Sequence, residues 1–288
     1  MNMNGIIIIN KELGYTSRDI VNIVSKELGT KKVGHTGTLD PMASGVLVLC
    51  VGNALKVCEM LTNHDKEYIA GITLGIETDT LDLEGNVIST KDVDIDKEVI
   101  MDVVNSFKGT YMQEVPKYSA VKVNGKKLYE YARKNIFVEL PKKEVTIDEI
   151  SVIDDIVYDA GKVHFTIKCK VSKGTYIRSL VRDIGIKLGV PSVMSSLIRT
   201  KLGKFDIEDA VNLDDIKNGS YKLLNVMDAF PDILRIKVSD DIAFKVKNGV
   251  VLDKFFDEEM AFILDKDGNL LAIYHNVLDK SRVYKMFV

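Results

Sequence analysis

The chain has little of what marks secreted, membrane-spanning or metal-binding proteins. It has only three cysteines in 288 residues, Cys50, Cys58 and Cys169, which form no Cys-x-x-Cys and lie in apolar segments. That excludes a disulfide framework and offers no zinc-ligand spacing, so buried reduced thiols are expected. The amino-terminal stretch MNMNGIIIIN has no basic leader and only four consecutive isoleucines, and the longest other apolar run, Val46 to Val51, is far below membrane-spanning length. A cytoplasmic protein with no membrane contact is expected. No phosphate-binding glycine loop is present, because the spacing from Gly34 to Gly45 does not fit one. Repeats and low-complexity tracts are absent as well.

What is present is an ordinary globular composition, 46% hydrophobic and 28% charged, long enough for one large domain or one large and one small. A net charge of −3 gives no global sign of nucleic-acid binding, but the charges are unevenly placed. Residues 77–102 hold nine acids against two lysines. Residues 117–143 hold eight basic residues and two acids, and 166–204 hold nine and one. Either basic block could be a solvated lysine face. Tyr118, Tyr129, Tyr131 and Tyr176, however, are interleaved with the charges, as phosphate contact and base stacking require.

Periodicity predicts a helix over 16–28, capped by Thr16 or Ser17 with Ile20, Val21, Val24 and Leu28 on one face, and stopped at Gly29. VLVLCV reads as a buried strand, residues 54–61 as a short helix, and KEYIAGITLG as an alternating strand with Tyr68 at its start. The acidic 77–102 stretch begins as a loop and ends in a helix capped by Asp96. After it come an Asn124-Gly125 turn, an alternating strand over 162–171 and a helix over SKGTYIRSLVRDIGIKLG with Thr175 as its cap. Strands and helices without regular alternation imply an α/β fold of the α+β kind, built on a mixed sheet. From about residue 232 the pattern changes to a small β-rich module, giving expected domains of 1–231 and 232–288.

Four stretches then stand in a telling order: GHTGTLDPMASGVLVLCVGNALK, KEYIAGITLGIETDTLDLEG, VPKYSAVKVNGKKLYEYAR and SKGTYIRSLVRDIGIKLG, with SSLIRTKLGKF completing the set. Together they resemble the signature of the bacterial tRNA pseudouridine-55 synthases, the TruB type, over residues 5 to about 230. The tail resembles the small RNA-binding PUA module that often follows that core. The resemblance implies a pseudouridine synthase catalytic domain with an RNA-gripping insertion over about 110–145. The implied activity is isomerisation of the uridine at position 55 in the T-loop of tRNA after the base is flipped out. Such a reaction breaks the N1–C1′ bond, turns the base and rejoins it through C5, so no redox cofactor, nucleotide or metal is called for.

By match to the family motifs, Asp40 is the carboxylate beside the ribose, attacking C1′ or removing the C2′ proton. Taken alone, an Asp-Pro pair would do no more than close an Asx-turn. Tyr68 resembles the tyrosine that stacks on the flipped uracil and takes the C5 proton, and Arg178 the arginine that pairs with the aspartate. His35 resembles the histidine that helps hold the base out, while Tyr176 and Leu197 are expected to line the pocket. Lys122, Lys126 and Lys127 are expected to contact phosphates of the T-arm stem-loop. The basic, aromatic 117–134 segment favours a stand-alone monomer over a guide-dependent synthase that works with partner proteins. A third possibility, an RNA-folding factor with a relic core, would call for an altered Asp40, Tyr68 or Arg178, and all three are intact.

Overall fold

The computed structural model describes residues 3–287; Met1 and Asn2, at the head of the MNMNGIIIIN stretch, and Val288 lie outside the described residues. In chain order the elements run β1 (Gly5–Lys11), α1 (Ser17–Glu27), β2 (Val33–His35), β3 (Ala43–Val51), α2 (Cys58–Thr62), β4 (Lys66–Leu74), β5 (Ile76–Thr78), β6 (Val87–Thr90), α3 (Lys97–Asn105) and β7 (Gly109–Glu114). They continue with β8 (Lys122–Val123), β9 (Lys126–Lys127), α4 (Leu128–Ala132), β10 (Lys142–Val152), β11 (Val157–Asp159), β12 (Lys162–Val171), α5 (Ile177–Leu188), β13 (Ser192–Leu202), β14 (Phe205–Asp206) and α6 (Leu213–Lys217). The last stretch holds β15 (Leu234–Lys237), α7 (Asp240–Lys247), β16 (Leu252–Asp253), β17 (Met260–Leu264), β18 (Leu270–Val277) and β19 (Lys280–Met286).

The main sheet runs β1-β3-β13-β4-β12-β10-β7, and every neighbour pairs antiparallel except β3 and β13, which are parallel. This is the mixed sheet expected. Strand alternation explains the two layers that cover it. Ile7, Ile9, Leu47 and Leu49 face one way, into a core with Ile20 of α1, Ile100 of α3 and Leu180 of α5. Ile6, Ile8, Val46, Val48 and Cys50 face the other way, into a core shared with Leu61, Phe230 and Phe262. Phe262 belongs to the second sheet, β15-β17-β18-β19-β16, so the carboxy-terminal strands pack against the back of the main sheet. No helix among the described residues is long and apolar enough to cross a membrane.

Local chemistry accounts for the boundaries and for three departures from expectation. Thr16 caps α1 in a reciprocal box with Asp19, as the sequence suggested. Thr175 does not cap α5: its hydroxyl donates to the Ser172 carbonyl, and Tyr176 takes the cap position without a side-chain cap bond. Residues 52–57 form a 3₁₀ turn before α2, so the expected helix is split in two. The first part of the acidic stretch is a β5–β6 hairpin whose tip folds inward, because the Thr78 hydroxyl donates to the Asp82 carbonyl at 2.6 Å and the Thr80 hydroxyl to the Asp82 carboxylate at 2.6 Å. Cys50 and Cys169 are buried thiols, and Cys58 is half-buried, its Sγ 3.2 Å from the His35 carbonyl.

Gly45 marks the one place in β3 where a side chain is forbidden. Its φ is +98°, and a Cβ there would sit 2.3 Å from the Arg199 carbonyl of β13, so the two strands close to hydrogen-bonding distance only with glycine. Gly45→Ala is expected to cost about 2 kcal/mol or more in urea unfolding; an unchanged midpoint would show that the strand can shift to accept it.

Candidate active site

The loop from Thr36 to Met42 is anchored by its backbone. Ser17, the first residue of α1, both donates to the Leu39 carbonyl (3.1 Å) and accepts from the Leu39 amide (2.8 Å). The buried Lys11 ammonium, at the end of β1, donates to the carbonyls of Tyr15 (2.7 Å), Glu12 (3.0 Å) and Pro41 (3.4 Å). Arg199, also buried, donates to the Gly37 carbonyl (3.1 Å) and the Val46 carbonyl (2.7 Å). Three polar side chains therefore fix the loop through main-chain atoms, and the Asp40 carboxylate is left to point elsewhere.

It points at Arg178. The guanidinium Nη2 lies 2.8 Å from Asp40 Oδ2, in a pair whose arginine is 7% exposed and whose aspartate is 40% exposed. The rest of the guanidinium is occupied from behind: Nη2 also donates to the Tyr118 carbonyl (3.1 Å), and Nη1 donates to the Thr80 carbonyl (3.0 Å) and faces the Asp82 carboxylate at 3.5 Å. Asp82 is itself buried, its Oδ1 held by the Thr80 hydroxyl and the Glu84 amide. The cation is thus fixed by the inward-folded hairpin and by the insertion, and it presents one edge to Asp40.

Around this pair lies a cleft of about 350 Å³ lined by Asp40, Tyr68, Tyr118, Tyr129, Tyr176 and Leu197 among others. Five of the nine residues singled out in the sequence, Asp40, Tyr68, Arg178, Tyr176 and Leu197, therefore meet in one place. Tyr68, near the start of β4, is paired in register with Cys169 and Arg199, and its ring is buried to 7% exposure. Burial raises the Tyr176 phenol above its ordinary pKa, so it is a neutral hydroxyl at pH 7.

The other four stand apart from that lining. His35 lies on β2, with its Nδ1 buried and without a hydrogen-bond partner, and burial, then Arg18 and Arg199, push its pKa down, which keeps it neutral at pH 7. Lys122, Lys126 and Lys127 lie on the β8–β9 hairpin of the insertion; Lys122 and Lys126 are exposed, and the Lys127 ammonium sits 5.4 Å from the centre of the Tyr129 ring. No group of three or more His, Cys, Asp and Glu side chains converges to hold a metal among the described residues.

Sequence reasoning missed Asp82, Lys11 and Arg199. An acid in an acidic run reads as solvated, and nothing in its spacing says otherwise. Arg199 did carry a signal, since it is two residues after Leu197 on an alternating strand and shares its face. Lys11 follows Ile7 and Ile9 in the same way.

Lys66 completes the group of buried cations beneath the loop, donating to the carbonyls of Thr62 (3.1 Å) and His64 (2.6 Å). Burial, reinforced by Arg199, brings its pKa down from 10.5 to about 8. Between pH 8 and 10.5 the unfolded chain holds a proton that the folded chain has shed, so stability rises with pH across that window and the gain is lost as pH falls back to 8. In urea unfolding, the wild type is expected to gain on Lys66→Met between pH 7.5 and 10. A gap between the two that does not change with pH would contradict the shift.

Comparison with known proteins matches residues 25–177 to the TruB family pseudouridylate synthase (N terminal domain) and residues 178–229 to the tRNA pseudouridylate synthase B C-terminal domain. The chain is 44% identical to tRNA pseudouridine synthase B of Bacillus subtilis (strain 168), over 94% of this chain and 93% of that one. It is 42% identical to tRNA pseudouridine synthase B of Caldanaerobacter subterraneus subsp. tengcongensis, over the full length of both. Among solved structures, a chain of an H/ACA RNP bound to a substrate RNA containing 2′-deoxyuridine superposes with a TM-score of 0.71 at 23% identity, over 99% of this chain and 85% of that one, a likeness of fold. A family match over more than half the chain and near-full-length relatives at 42–44% identity show that the chain belongs to the TruB family of pseudouridylate synthases.

Proposed function

We propose that this chain converts the uridine at position 55 in the T-loop of tRNA to pseudouridine, acting alone as a monomer in the cytoplasm. The observation that carries this reading is the half-exposed Asp40 carboxylate, held at 2.8 Å by a buried guanidinium in a cleft walled by Tyr68, Tyr176 and Leu197. Uridine isomerisation needs an ionised carboxylate at the sugar, an apolar and aromatic wall for the extruded base, and a group to take the C5 proton. Each has a residue here.

Asp40 acts on the ribose, as nucleophile at C1′ or as base at C2′, and the N1–C1′ bond breaks. Arg178 holds that carboxylate in position through the 2.8 Å ion pair. The freed uracil turns against the Tyr68 ring, C5 bonds to C1′, and the C5 proton leaves through the Tyr68 hydroxyl while N1 gains one, so the atoms of the nucleotide balance. Tyr176 and Leu197 exclude water from the sugar. His35, neutral and with a free buried nitrogen, holds the base out of the stack. Lys122, Lys126 and Lys127 grip phosphates of the T-arm, which offsets the cost of extruding the base. Stand-alone action is supported by the insertion, whose lysine-bearing hairpin and Tyr129 reach from the cleft wall to exposed surface.

Purified protein given a bare T-arm stem-loop carrying tritium at uridine C5 is expected to release the tritium without any added factor. Asp40→Asn is expected to bind the same RNA within about three-fold of wild type and to release less than about one part in a thousand, because the amide can neither attack nor accept the proton. Turnover of the variant above that level would remove Asp40 from the chemical step.

A further inference from the structure

Helix α5 begins in an unusual way for a helix that carries a reactive group. Arg178 is its second residue, yet the cap residue Tyr176 makes no side-chain cap bond and the first turn holds no acid. The missing bonds come from another element. Gln113, buried in the last turn of pairing of β7, accepts from the Tyr176 amide through Oε1 at 2.8 Å. Its neighbour Glu114 accepts the Ser179 hydroxyl on its carbonyl at 2.7 Å, and Arg182 adds bonds to the Glu114 carbonyl (3.3 Å) and carboxylate (3.0 Å). A capping box normally spans four residues of one helix; here two consecutive residues of β7 hold the positions on either side of Arg178.

Those two residues are the root of the insertion. β7 ends at Glu114, β10 begins at Lys142, and the Glu114–Lys142 pair and the Val115 amide to Pro141 carbonyl bond (3.0 Å) close the neck of the segment between them. That segment carries Tyr118, whose carbonyl also holds Arg178, and Tyr129 of the cleft wall. Gln113 is itself held in orientation: its Nε2 donates to the Tyr111 hydroxyl (2.7 Å), which donates to Asp183 (3.3 Å), which is clasped by Arg182 at 3.0 and 2.8 Å. Burial raises the pKa of both Tyr111 and Asp183, as expected for a closed polar chain shielded from water.

We propose that Gln113, together with Ser179, is a positioning residue that ties the seating of the 115–141 insertion on RNA to the placement of Arg178, and so of the Asp40 carboxylate. This rests on the reading of Asp40 and Arg178 given above. An insertion displaced from its bound position pulls β7 and, through Gln113 and Glu114, the first turn of α5, which moves the guanidinium off Asp40. Chemistry is thereby coupled to correct RNA docking by bonds that touch neither the RNA nor the reacting atoms.

The test is single-turnover tritium release at saturating enzyme, read beside the dissociation constant for the T-arm stem-loop and a thermal melt. Gln113→Leu leaves the Tyr176 amide without its acceptor and is expected to lower the rate about ten-fold or more, with the dissociation constant within about three-fold of wild type. Should Gln113→Leu not fold, Ser179→Ala, which removes the companion bond to Glu114, is expected to show the same split between rate and binding. A wild-type rate in Gln113→Leu or a loss confined to binding overturns the proposal. Asp40→Asn measured in parallel separates the two readings: product from that variant sinks the catalytic assignment, whereas a silent Asp40→Asn beside a fully active Gln113→Leu sinks the coupling alone.

Discussion

Everything near the cleft depends on one buried guanidinium. A charge taken out of water is costly unless it is paired and its donors are satisfied, and Arg178 meets that condition with two carboxylates and two carbonyls drawn from three separate stretches of chain. Asp82 and Thr80 come from the β5–β6 hairpin, Tyr118 from the insertion, and Asp40 from the loop before β3. Removing any one of them leaves a buried cation partly unpaired, so the arginine specifies the mutual arrangement of all four. Of its partners only Asp40 is substantially exposed, which makes it the one carboxylate free to meet a substrate.

The complementary constraint holds Asp40 from the other side. Lys11, Ser17 and Arg199 grip the loop by carbonyl and amide groups alone, so the geometry of the loop does not rest on the Asp40 side chain. Gly45 lets β3 and β13 approach closely just beyond that loop, and the parallel β3–β13 pair sets Ala43 and Leu197 side by side. The mixed sheet thus supplies the floor, and the 115–141 segment supplies part of the wall through Tyr118 and Tyr129.

Much of this was legible in the sequence, for identifiable reasons. Strong alternation announced β12 to the residue, and helical spacing with a Thr cap announced α1. Asp40, Tyr68, Arg178, Tyr176 and Leu197 could be named from motifs and do converge on one cleft. Burial of Arg178 could not be read, because its partners besides Asp40 are a carboxylate in an acidic run and two backbone carbonyls. The inward fold of the hairpin depends on Thr78, Thr80 and a left-handed Leu81 acting together, at a φ of 67°, and a window of composition shows only an acidic loop. Thr175 looked like a cap by local rules, whereas the true capping group, Gln113, sits more than sixty residues upstream on β7, beyond the reach of any local rule.

The most direct test of the central arrangement is the single-turnover rate of pseudouridine formation by Asp82→Asn, measured with enzyme in excess over a T-arm stem-loop. The substitution preserves shape and the Thr80 contact but removes the buried negative charge behind Arg178. The account predicts a rate lowered about ten-fold or more with RNA affinity within about three-fold of wild type. An unchanged rate would mean that Asp82 does not hold Arg178 for catalysis.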